Sequence, residues 1–170
     1  MITEKSTVRE AKDYLLREMN KGAKCPCCNQ MVKFYNRPLT SAMAYGLILL
    51  YKAPAEKKDP YGYVHIEDYF KDLNVPSSIR GDVPKLRFWG LIAPEGSEKE
   101  SDKNPNNGLY KVTDLGRLFV EGNVSVPSHV KLYNNRFFGH PDGSKHITII
   151  QALKNKFNYE KIIHESNPIH

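Results

Sequence analysis

The stretch from Asp82 to Val120 constrains this fold more than any other part of the chain. Pro84 is tolerated only in a first turn, so a helix is expected to begin near Asp82, run through Lys85-Leu86-Arg87-Phe88-Trp89 and end at Gly90. Leu91-Ile92-Ala93 then reads as a strand. A polar stretch rich in Ser, Asn, Glu and Lys follows from Glu95 to Gly108, and Leu109-Tyr110-Lys111-Val112 returns as a second strand. Thr113 caps a further helix from Asp114 to about Val120, with Leu115, Leu118 and Phe119 expected inward.

The rest of the chain carries weaker but readable punctuation. Thr7-Val8-Arg9-Glu10 has the capping-box pattern, and Val8, Ala11, Tyr14, Leu15 and Met19 recur behind it at helical spacing. Lys24-Cys25-Pro26-Cys27-Cys28-Asn29 is a tight turn. Arg37-Pro38-Leu39-Thr40-Ser41 opens a second helix that ends near Tyr51. This apolar run is broken by Gly46 and too short for a membrane span, so it reads as a buried helix. A short helix fits His65 to Leu73. Near the C-terminus, Val130 to Tyr133 and Arg136 to Gly139 read as a hairpin on the Asn134-Asn135 turn. Thr148 and Asn158 then each start a helical segment. The expected class is α+β, in three parts: residues 1–38 with a helix and the cysteine turn, 39–121 as a core domain, and 122–170 as a hairpin and helical extension.

The order helix, helix, turn, helix, strand, polar loop, strand, helix is that of a winged helix-turn-helix. Lys85-Leu86-Arg87-Phe88-Trp89-Gly90-Leu91-Ile92 resembles the end of a recognition helix entering the first wing strand. Tyr110-Lys111-Val112-Thr113-Asp114-Leu115-Gly116 resembles the second wing strand running into the next helix. Both phrases resemble winged-helix transcription regulators of the MarR and PadR type, over about half the chain. The whole chain is also similar in style to small phage-encoded proteins that set a cysteine turn ahead of a winged helix. The resemblance implies a DNA-binding protein, with Arg80, Lys85 and Arg87 reading bases or phosphates and Lys99 and Lys103 on the wing. The sequence departs from a good reader in having few long polar side chains on that helix. It also places Glu95, Glu98, Glu100 and Asp102 beside the wing lysines.

Charge sharpens the question of partner. The formal net charge is +6. Residues 1–52 carry nine Lys/Arg against four Asp/Glu, residues 53–121 ten against twelve, and residues 122–170 six against three. A basic balance favours nucleic acid, yet it comes from the flanks and not from the expected reading domain. The alternative is therefore a non-catalytic inhibitor or adaptor that uses the same scaffold to hold a protein. No secretion signal or membrane span is legible, which makes the cytoplasm the expected compartment. No phosphate loop, dinucleotide fingerprint or nucleophile elbow is present, and His65, Glu67 and Asp68 read as a solvated helix face, so no enzyme is expected.

All three cysteines lie between Cys25 and Cys28. Such a cluster cannot staple distant segments, which excludes a disulfide framework and points to metal before redox chemistry. Cys25 and Cys28 form a C-x2-C pair like half of a zinc knuckle. Counting back from the Asn134-Asn135 turn sets His129 opposite His140 across the hairpin. A zinc site of Cys25, Cys28, His129 and His140 is therefore expected.

Overall fold

The computed structural model describes residues 2–96 and 107–165. In chain order its elements begin with α1 (Val8–Glu18), β1 (Ala23–Lys24), β2 (Met31–Val32), β3 (Tyr35–Pro38) and α2 (Ser41–Tyr51). They continue with β4 (Val64–His65), α3 (Ile66–Asp72), α4 (Ser77–Asp82), a 3-10 segment (Val83–Trp89), β5 (Ile92–Pro94), β6 (Leu109–Val112) and α5 (Asp114–Val120). After these come β7 (Val126–Pro127), β8 (His129–Tyr133), β9 (Arg136–Phe137), β10 (His146–Ile147), α6 (Ile149–Leu153) and α7 (Tyr159–His164). The protein is a mixed α+β chain with small antiparallel sheets. No helix among the described residues is long and apolar enough to cross a membrane.

The chain forms two compact units, each built from separated segments. One comprises Met1–Arg37 with His129–Asp142, and the other Pro38–Ser128 with Gly143–His170. The C-terminal region is thus divided between them at Asp142 and does not stand as a separate extension.

In the larger unit, α2 is the axis of the core. Thr40 Oγ1 accepts a hydrogen bond from Met43 N at 3.2 Å and starts it. Met43, Ala44, Gly46, Leu47, Ile48, Leu49 and Leu50 are all buried, so the helix faces protein on every side. Gly46 is what allows Val83 to approach: a Cβ there would lie 2.2 Å from Val83 Cγ2. Phe70, Leu86, Leu91, Phe119, Ile149 and Leu153 complete the core around this axis. Three strands lie in the order β4-β6-β5. Tyr110 pairs with both Val64 and Pro94, and Val112 pairs with Ile92. The outer strand β4 is too short to carry a periodic signal, and sequence reasoning read only the other two.

The helix expected from Asp82 to Trp89 is different in kind. An α-helix already starts at Ser77 and ends at Asp82, and the chain continues as 3-10 turns to Trp89. Pro84 has no N–H to give to the carbonyl of Arg80 and its ring crowds that carbonyl, which breaks the α ladder there. Gly90 closes the segment at φ +71°. Thr113 then joins the two diagnostic phrases: its N donates to Leu91 O at 3.1 Å and its hydroxyl donates to Gly90 O at 2.5 Å. The same hydroxyl accepts from Gly116 N at 3.0 Å and caps α5. Phe119 is fully buried, whereas Leu115 is 38% exposed, contrary to its expected inward direction.

The smaller unit is thinly packed. Ala11, Met19, Ala23, Val32 and Val130 are its buried apolar side chains among the described residues. Thr7 and Glu10 form the reciprocal capping box of α1. Val8, expected on the inner stripe, is 78% exposed. β1 pairs with β2, and a second sheet has the order β3-β8-β9.

Candidate functional site

Arg80, Lys85 and Arg87, which the sequence resemblance assigned to DNA reading, lie on α4 and the 3-10 segment, and each is engaged within the protein. Arg80 Nε donates to Glu67 Oε1 at 3.1 Å, and its Nη1 donates to Val75 O at 2.7 Å. Its side chain is only 20% exposed, so Arg80 clamps α3 against the turn before α4. Lys85 Nζ lies 2.7 Å from Asp82 Oδ1. Arg87 donates to Pro84 O at 3.3 Å, and its guanidinium sits 4.4 Å from the Phe88 ring centre. Lys85 and Arg87 remain half-buried, within reach of a ligand. Lys99 and Lys103 lie outside the described residues. Between β5 and β6, Asn107 Nδ2 donates to Glu95 Oε2, which occupies one of the carboxylates noted in the sequence.

His65, Glu67 and Asp68 are accounted for by local structure. His65 caps α3, with Nδ1 2.8 Å from Asp68 Oδ2, and Glu67 holds Arg80 and Lys71. A cleft of about 240 Å³ opens beside β6 and the start of α5, lined by Lys58, Lys111, Asp114 and Arg117 among others. Lys111 stacks over the Tyr63 ring at 4.8 Å and Arg117 pairs with Glu121 at 3.1 Å. In the core, Tyr69 has its hydroxyl pushed up to about 12 by burial, and donates to Leu49 O at 3.2 Å. That hydroxyl is a structural donor.

The smaller unit concentrates the charge of the molecule, with ten Lys/Arg against five Asp/Glu. Its hairpin runs on Asn134 and Asn135, at φ +48° and +60°, with Tyr133 opposite Arg136 and Leu132 opposite Phe137. The register expected beyond that point does not hold. Phe138 N donates to Lys131 O and Lys131 N donates to Gly139 O, at 2.9 and 2.8 Å, so two residues oppose one. This is a β-bulge, made possible by Gly139 at φ +90°, and it shifts the pairing by one residue. His129 and His140 are therefore not opposed as ring partners. Instead, His140 Nδ1 lies 3.0 Å from the backbone oxygen of His129, and its ring stands edge-on to Phe137 at 5.4 Å. On the other side of the hairpin, Phe34 packs on Phe138 at 5.0 Å and Lys131 sits 5.4 Å over Phe34.

Cys25 and Cys28 flank the turn between β1 and β2 in the same unit as the two histidines. Cys25 is half-buried and Cys27 and Cys28 are exposed. Among the described residues, no three of His, Cys, Asp and Glu are grouped to hold a metal ion. Comparison with protein-family models, curated proteins and solved structures returns no match for this chain.

Proposed function

We propose that the chain is a winged-helix DNA-binding protein whose larger unit presents α4 and the 3-10 segment to a duplex. The observation that carries this reading is topological. Helix α2, strand β4, helices α3 and α4, then β5 and β6 follow one another, and the strands lie in the order β4-β6-β5. In a winged helix the second and third helices form the helix-turn-helix, and the last two strands bracket the wing. Here they bracket the polar stretch between Glu95 and Asn107. Lys85 and Arg87 are the cations this surface offers. The net positive charge of the smaller unit adds sequence-independent attraction to phosphate through counterion release.

The engagement of Arg80 by Glu67 and of Lys85 by Asp82 favours a second reading, a protein-docking scaffold. Fluorescence anisotropy with duplex DNA at two salt concentrations separates the two. The DNA reading expects Lys85→Ala and Arg87→Ala each to weaken binding by about 1–3 kcal/mol if they read bases. A lysine or arginine that only touches phosphate should instead lower the salt slope by about one. Binding that ignores both substitutions and salt would transfer the function to a protein partner.

A further inference from the structure

The turn joining β1 to β2 is closed by two backbone hydrogen bonds. Cys25 N donates to Gln30 O at 2.8 Å, and Asn29 N donates to Cys25 O at 2.9 Å. Asn29 takes φ +58°, which sends the chain back immediately after Cys28. The backbone amides of Cys27 and Cys28 and the thiols of both face the Cys25 sulfur. Two sulfurs three residues apart on a hairpin turn, one of them receiving two backbone N–H groups, form half of a tetrahedral thiolate site.

We infer that Cys25 and Cys28 bind zinc, and that a second copy of this chain supplies the same two cysteines to complete one four-thiolate site between the copies. Zinc requires four ligands in a closed structural site, and the turn offers two. Pro26, Cys27, Cys28, Asn29 and Gln30 are exposed and Cys25 is half-buried, so a further molecule can reach the turn. His129 and His140, the expected partners, are not gathered with the cysteines: among the described residues no three of His, Cys, Asp and Glu are grouped to hold a metal ion. A two-fold axis through the metal relates one copy's cysteine pair to the other's, the commonest symmetry by which two identical chains meet. The charge also suits. Four thiols lose four protons to one Zn²⁺, leaving a site of net charge −2 between two units that are each strongly basic.

The full chain, reduced and titrated with zinc chloride, should bind one zinc per two chains and pass from monomer to dimer by light scattering. EDTA should restore the monomer. Cobalt(II) in place of zinc should give the thiolate charge-transfer and d–d bands of a tetrahedral four-sulfur site. Cys28→Ser should lose both metal and dimer. Cys27→Ser, which removes a thiol from the same turn, should keep both, and with the wild type it decides the matter if Cys28→Ser does not fold. One zinc per monomeric chain, zinc retained by folded Cys28→Ser, a dimer indifferent to EDTA, or no zinc bound would each overturn the inference.

Discussion

At Gly116 there is no room for one more carbon atom. A Cβ there would lie 2.0 Å from the Leu91 carbonyl oxygen and 2.9 Å from Val112 Cγ1, because α5 starts directly against the backbone entering β5. Backbone cannot yield as a side-chain end does, so Gly116→Ala should destabilise the larger unit by about 1–3 kcal/mol in a urea titration. Gly81 gives the opposite expectation. It lies in α4 with nothing within 4 Å of a Cβ, and Gly81→Ala should stabilise by about 0.4–1 kcal/mol. Trp89 belongs to the same scale: its Nε1 donates to Pro127 O at 2.7 Å. Trp89→Phe should therefore cost about 0.5–1.5 kcal/mol by removing that part-buried hydrogen bond. The roles of Gly90 and Thr113 were legible in the sequence, since a helix stop and a cap each need a particular residue type. The outward turn of Leu115 was not, because the phase of α5 follows from its close approach at Gly116.

Among the elements, α1 shows what local chemistry does by itself. The Thr7 backbone N–H and then its hydroxyl donate to the Glu10 carboxylate and hold that carboxyl below its ordinary range. A carboxyl whose folded-state pKa is depressed contributes stability above its unfolded value and loses it as pH falls through the folded one. The start of α1 should consequently fray in acid, seen as faster amide exchange from Val8 to Ala11, and Glu10→Gln, which does not titrate, should remove that pH dependence. The cap was readable because it lies within four residues. The two elements that departed from expectation turn on one residue each. Pro84 divides a helix into α4 and a 3-10 segment, and Gly139 inserts a bulge that undoes the histidine pairing. Counting residues from a turn assumes an unbroken ladder, and a glycine at φ +90° is where that assumption fails. Gly139→Ala has open space for its methyl, so its cost is that of the backbone alone, about 1–2 kcal/mol. It should show as increased exchange at Lys131 and Phe138.

For the whole molecule, the helical and strand order of the larger unit was legible, while the division of the chain was not. Pairing of β3 with β8 joins segments separated by most of the chain, and no local pattern announces it. The sequence placed the cysteine turn and the two histidines in one metal site, but its opposed histidines assumed a register that the bulge shifts by one residue. The small set of buried apolar side chains in the minor unit predicts an order of opening. Segments 2–37 and 129–142 should exchange their amides together and sooner than α2, as read by mass spectrometry of deuterium uptake. Where the chain leaves and re-enters the larger unit, its strands are fastened side by side: Leu39 N donates to Ser128 O at 2.8 Å and Ser128 N to Lys145 O at 2.7 Å. During synthesis this arrangement imposes a delay. The cysteine turn leaves the ribosome about 110 residues ahead of the strand that finishes its own unit, or about 5–20 s at ordinary elongation rates. Throughout that interval its thiols meet solution before their fold is complete, so metal supply and oxidant at the moment of translation bear on which state the finished protein inherits.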